Sequence, residues 1–251
     1  MLTFVGLGLW DEQDVTVKGF NAIESADVIY AEFYSSKLFG TTIEKLEEFY
    51  KREICVLDRI DVEQAPDETI LRDAESKNVA FLTAGDAMIS TTHVDLRIRA
   101  HDRGISTQII HGASITTAVC GLTGLQNYRF GKSATIPFPY RTISDVPYFT
   151  VSANLTSDLH TLLFLDIQEE LMTLGQGIEL LLHSEHEKGY DQLATHLAVG
   201  IARAGSRSPE VKATTLARLK EYDFGPPLHI LVIPASLHVV ENEALKAFAG
   251  A

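Results

Sequence analysis

Residues 2–32, LTFVGLGLWDEQDVTVKGFNAIESADVIYAE, constrain this chain more than any other stretch. An apolar run fit for a buried strand breaks at Gly6 and Gly8 into a loop, an apolar-periodic helix follows, and residues 27–32 form a second β-rich run. Strand, glycine turn, helix and strand make one layer of an α/β sheet. Glycine at the C-terminal end of such a strand allows positive φ or close approach of a ligand, which points to a small-molecule cleft. A dinucleotide is the first candidate, and the charges oppose it. The dinucleotide fingerprint G-x-G-x-x-G presents a helix N-terminus to a pyrophosphate. Here its third glycine position is Asp11, with Glu12 and Asp14 following. Carboxylates at a helix entrance suit the helix dipole but repel a diphosphate. A cationic nucleoside without phosphate, such as S-adenosylmethionine, suits them. Asp11 and Asp14 are also expected to cap the helix.

The run continues as alternating elements. Residues 41–51 have helical spacing, 54–57 read as a short strand, and 66–77 as a helix with Pro66 near its start. Val79 to Thr83 is another apolar run closed by glycine and acid, AGDAMIST, so Asp86 occupies the same kind of strand end as Asp11. Gly-Asp is also a common turn pair. Residues 93–103 read as a helix stopped by Gly104, and 105–110 as a strand leading into HGASITTAVCGLTGL, whose helix starts at about Ser114. This alternation predicts an α/β layer with a largely parallel sheet. The second half offers four β-rich runs, FGKSATIPF, LHTLLFLDI, HLAVGIARAGS and LHILVIPASLH, with a helix over 169–183. The stretch IPFPYRTISDVPY, with Pro137, Pro139 and Pro147, reads as irregular.

The blocks VGLGLWDEQDVTVKG and AIESADVIYAE resemble the opening of the tetrapyrrole-methylase-like class of S-adenosylmethionine-dependent methyltransferases. Within that class the LW-DE-DVTVKG form and the AEFY-S segment resemble the branch that methylates a modified histidine of translation elongation factor 2. The resemblance implies an α/β fold of two α/β domains with the cofactor cleft between them, over residues 1–111 and 112–251. It implies S-adenosylmethionine as cofactor, the elongation factor as protein substrate, and a homodimer, for which the leucine-rich helical surface over 171–182 is a candidate contact. Carried over residue by residue, it marks Leu9, Asp86, Ile89, Ser114, Ile115, Leu165, Ala204 and His229 as cofactor contacts. Asp86 would meet the amino or ribose portion of the cofactor. Where the family's second motif usually reads Gly-Asp-Pro, this chain has Ala87, which is expected to loosen the loop. Ser114 also reads as a helix N-cap, and His229, opening an apolar strand, also reads as a hydrogen-bonded structural residue.

Other chemistries find less to stand on. A net charge of −13 opposes non-specific nucleic-acid or anionic-membrane binding. No apolar run is long enough to span a membrane, and Cys55 and Cys120, without a CxxC, read as reduced thiols of a cytoplasmic protein. His183 and His186 lack zincin spacing and read as a solvated helix end, and no G-x-S-x-G elbow exists. Three alternatives remain: a corrin-type methylase of the same class, an NAD-dependent oxidoreductase using Glu32 as its ribose-binding acid, and a non-catalytic binding module.

Overall fold

The computed structural model describes residues 1–168 and 170–251. The chain divides into two compact units, Met1–Ile115 and Thr116–Ala251.

In the first unit the order is β1 (Leu2–Gly6), α1 (Val17–Ser25), β2 (Val28–Glu32), α2 (Ile43–Tyr50), β3 (Cys55–Leu57), α3 (Arg59–Glu63), α4 (Ile70–Ala74), β4 (Val79–Thr83), α5 (His93–Asp102) and β5 (Thr107–Ile110). The five strands form one sheet in the order β3-β2-β4-β1-β5, and every pairing is parallel. β1 and β4 are buried along their whole length, which is why they read as unbroken apolar runs. Leu2, Phe4 and Phe81 pack into one core cluster, and Val5, Leu7, Ala80 and Leu82 into another. Each fully buried Leu or Phe contributes roughly 1.5 to 3 kcal/mol.

Two local readings need correction. α1 starts at Val17 and is capped by Thr16, whose hydroxyl accepts from the Gly19 amide at 3.0 Å; Asp11 caps only the preceding 3-10 turn, Glu12–Asp14. The expected helix over 66–77 is two pieces, a 3-10 turn at Pro66–Glu68 and then α4. α3 was not foreseen. It is one turn long and starts on a reciprocal capping box between Asp58 and Asp61.

The second unit follows from α6 (Ile115–Thr123) through β6 (Ala134–Ile136), α7 (Val146–Thr156), β7 (Thr161–Leu165), α8 (Leu174–Glu187), β8 (Leu197–Ala202), β9 (Glu210–Thr215), α9 (Leu216–Lys220), β10 (His229–Ile233) and α10 (Val239–Ala249). Its sheet runs β6-β7-β10-β8-β9, parallel between β6 and β7 and antiparallel elsewhere. The four expected strands are present, and β9 is a fifth. The proline-rich stretch is irregular only in its first part: Pro147 lies in the first turn of α7, where a missing N–H costs nothing. The expected start of the next helix, Glu169, lies outside the described residues, and α8 itself begins at Leu174. The face of α8 proposed for dimerisation is occupied at home, because Leu174, Ile178 and Leu181 belong to this unit's own core. His183 and His186 are exposed, but Ser184 and Glu185 between them are buried, so this turn is not polar and solvated all round.

Candidate functional site

The C-terminal edge of the first sheet is a junction of three loops. Glu32 pairs with Thr83, and Thr83 with Gly6, so the last residues of β2, β4 and β1 form one row. Beyond it the loops after β1 and β4 continue to pair: the Gly8 amide donates to the Gly85 carbonyl at 3.2 Å and the Gly85 amide returns a bond to Gly8 at 2.6 Å. Both glycines have positive φ, 85° at Gly8 and 74° at Gly85. A Cβ on Gly6 would lie 2.6 Å from both the Gly112 amide and the Gly85 carbonyl oxygen. The glycines are therefore needed first so that three backbones can touch one another.

The acidic loop is folded onto itself. Asp14 does not cap α1; its Oδ2 accepts from the amides of Leu9 at 3.1 Å and Trp10 at 2.7 Å, which fixes the backbone at Leu9. Asp11 accepts from the Gln13 amide at 2.9 Å. A hydrogen bond from the Thr41 hydroxyl holds the Glu12 carboxyl below its ordinary pKa.

Asp86 is only 8 % exposed and both its oxygens are engaged. Oδ1 accepts from the Met88 amide at 2.9 Å and Oδ2 from His111 Nδ1 at 2.8 Å. Ala87 in this loop is fully buried, and its carbonyl accepts a 2.9 Å bond from His93 Nδ1. Burial pushes the His93 imidazole below its ordinary pKa, against the pull of the facing Glu32 carboxylate. Ile89, 44 % exposed, stands at the open side of the loop. Ser114 is buried, and Ile115 begins α6 just past it.

Glu32 is not placed to hold a ribose. It is fully buried, and its oxygens take the amides of Tyr34 at 3.1 Å and Ser35 at 3.0 Å together with the hydroxyls of Ser35 and Thr83. That removes the acid an NAD site would have used.

In the second unit the expected residues gather at one edge of the sheet, since His229 pairs with Ala202 while Ile230 pairs with Phe164, next to Leu165. The Leu165 side chain is in the core, against the bare face of Gly177. Ala204 lies in the turn between β8 and β9, flanked by the positive φ of Arg203 and Gly205. His229 is a structural brace: Nδ1 accepts the Leu174 amide at the start of α8 at 3.2 Å, and Nε2 donates to the Gly225 carbonyl at 3.1 Å. Burial lowers its pKa, in keeping with this neutral ring. Sequence reasoning missed His93, His111 and the true role of Glu32. A histidine three residues into TTH carries no periodic signal, and only the fold reveals its burial.

The profile of the Tetrapyrrole (Corrin/Porphyrin) Methylases matches residues 1–220, so the chain belongs to that family of methyltransferases. Its methyl donor is S-adenosylmethionine. Within the family the chain belongs with the diphthine synthases. It is 59 % identical over 253 residues to the diphthine synthase of Methanocella arvoryzae, covering 100 % of this chain and 98 % of the relative. Against that of Methanococcoides burtonii it is 55 % identical over 259 residues, covering 100 % and 97 %. A solved crystal structure of diphthine synthase superposes with a TM-score of 0.94 at 48 % identity, covering 100 % of this chain and 96 % of that one.

The residues present suit this cofactor. Loops 7–16, 84–92 and 111–114 contain no Lys or Arg, so nothing there would attract a phosphate or repel a sulfonium.

Proposed function

We propose that this chain methylates the amino group of the aminocarboxypropyl arm on a modified histidine of translation elongation factor 2, repeatedly, until a trimethylammonium remains. Its full-length similarity to the diphthine synthases carries this reading. Leu9, Asp86, Ile89, Ser114 and Ile115 of the first unit, and Leu165, Ala204 and His229 of the second, are the proposed cofactor contacts. His229 and Leu165 would act through their backbone, since the ring nitrogens of one are engaged and the side chain of the other is in the core.

S-adenosylmethionine, when bound, supplies an activated methyl with its leaving group built in. The chain's own work is then to hold, align and dry. Alignment of a nucleophile with the methyl group at about 3 to 3.5 Å is worth roughly 7 to 11 kcal/mol of barrier. The glycine junction fixes the loop backbones against which alignment is made. Asp86, held by His111 and Met88, would meet the amino or ribose portion of the cofactor, because a carboxylate against the sulfonium would stabilise the ground state more than the transition state. The acceptor amine must be neutral to attack, and an apolar surround such as Ile89 and Ile115 provide would disfavour its ammonium form.

Melting curves test the reading. S-adenosylhomocysteine should raise the melting temperature with concentration, by about 2.7 kcal/mol of stabilisation at one hundred times its Kd, and NAD should not. A larger shift with NAD would defeat it. The protein is further proposed to act in the cytoplasm as a homodimer; light scattering at micromolar concentration should give twice 27.7 kDa, and the single-chain mass would contradict the dimer. Among the described residues no helix is long and apolar enough to cross a membrane.

A further inference from the structure

Behind the loop that carries Asp86 and Ile89 lies a buried polar chain that the methyl transfer itself does not use. The carbonyl of Ala87 can only accept, so His93 Nδ1 carries the hydrogen of their 2.9 Å bond. The ring is 1 % exposed and wedged edge-on against Phe81, with centroids 4.9 Å apart. Its other nitrogen, Nε2, is buried without a hydrogen-bond partner and lies 3.5 Å from Glu32 Oε1. Glu32 in turn gathers Thr83 from the end of β4 and the turn at Tyr34 and Ser35 after β2. Buried polar side chains of this kind are costly unless they fix something. What they fix here is one peptide: the carbonyl between the proposed cofactor ligands Asp86 and Ile89.

We propose that His93 is a positioning residue for S-adenosylmethionine, holding the Ala87 carbonyl so that the loop from Gly85 to Ile89 keeps its binding shape without cofactor present. Elsewhere Gly8 holds Gly85 and His111 holds Asp86, while the Met88 amide closes a turn within the loop on the Asp86 carboxylate. Where this chain has alanine in place of proline, the hydrogen bond supplies the rigidity that a ring would otherwise give. The proposal rests on the assignment of this loop to the cofactor.

The test is calorimetric titration of S-adenosylhomocysteine into wild type, His93→Phe, His93→Asn and His93→Leu, with KM for the cofactor and kcat measured alongside. Phenylalanine keeps the packing on Phe81 and loses the donor, and the affinity should fall about 10- to 100-fold, with KM for the cofactor rising in step and kcat at saturation falling less. Asparagine places an amide nitrogen where Nδ1 stood and should recover most of that loss. A His93→Phe protein that binds as wild type overturns the proposal, as does a loss confined to kcat or to thermal stability. Should His93→Phe not fold, His93→Leu is read in its place: it too lacks the donor, and wild-type affinity in it overturns the proposal. If the wild type binds no S-adenosylhomocysteine, the cofactor assignment falls first, and the positioning role with it.

Discussion

Glu241→Ala is expected to cost the second unit roughly 3 to 5 kcal/mol of stability. Glu241 is fully buried and accepts four donors: the Gln126 amide at 2.9 Å, His160 Nε2 at 3.0 Å, Arg129 Nη1 at 3.0 Å and the His238 amide at 2.8 Å. It therefore ties the segment after α6 and the approach to β7 to the first turn of α10, where it also closes a capping box with His238. Removing the carboxylate strands the Gln126 and His238 amides and His160 Nε2, while Arg129 Nη1 keeps the Ser236 carbonyl at 2.6 Å. The same residue sets an acid limit. Burial alone would raise its pKa, but the amides of Gln126 and His238 and the His160 ring outweigh it and hold the carboxyl at about 2, against 4.5 for the free group. A folded-state pKa below the unfolded one gives stability that is complete above about pH 4.5 and lost as pH falls towards 2, in all roughly 3 kcal/mol. Urea denaturation between pH 7 and pH 2.5 should show this loss in the wild type and a flatter profile in Glu241→Gln. Equal pH profiles in the two proteins would show that Glu241 is not the group responsible.

Gly112→Ala is expected to remove cofactor binding while leaving most of the first unit folded. A Cβ there would overlap the Gly85 carbonyl oxygen and stand 2.7 Å from the Gly6 carbonyl group. These atoms are backbone and have no rotamer to yield, so the loop after β5 must move away from the other two. A displacement of about 1 Å at such a site costs roughly 100-fold in rate. The methylation rate should fall by at least that factor and affinity for S-adenosylhomocysteine should be lost, with far-ultraviolet dichroism to check the fold. Gly121→Ala is the control: its added methyl meets nothing within 4 Å. Tight binding by Gly112→Ala would mean that the junction does not shape the site.

These two residues also mark how far the sequence could be read. Gly6, Gly8 and the Asp86 turn stand out because buried parallel strands leave apolar runs, and their ends are punctuated by residues that few other contexts need. The reason for the glycines was less legible. They accommodate one another's backbones, a long-range fact that no local pattern contains. Asp14 and Glu32 looked alike as acids near strand ends, yet one clasps its own loop and the other is sealed in the core. Charge in a sequence says nothing about which donors surround it. α7 was hidden because prolines suggested irregularity, although Pro147 sits where a helix tolerates it. β9, EVKATT, is an edge strand in which only Ala213 is buried, with too few apolar residues to show a period of two. His238 and Glu241 carried the spacing of a capping box, but with histidine in the place of the usual serine or threonine the signal was faint.

Methyl transfer to the proposed acceptor tests the central claim most directly. Elongation factor 2 from cells that stop at the aminocarboxypropyl-histidine stage would be incubated with this protein and S-adenosylmethionine, and the modified peptide followed by mass spectrometry. The account predicts successive additions of single methyl groups to that side chain, ending at the trimethylammonium and absent when S-adenosylmethionine is withheld. An unchanged peptide from a preparation that demonstrably binds S-adenosylhomocysteine would contradict it, and would turn the search for an acceptor to the other substrates of the tetrapyrrole methylase family.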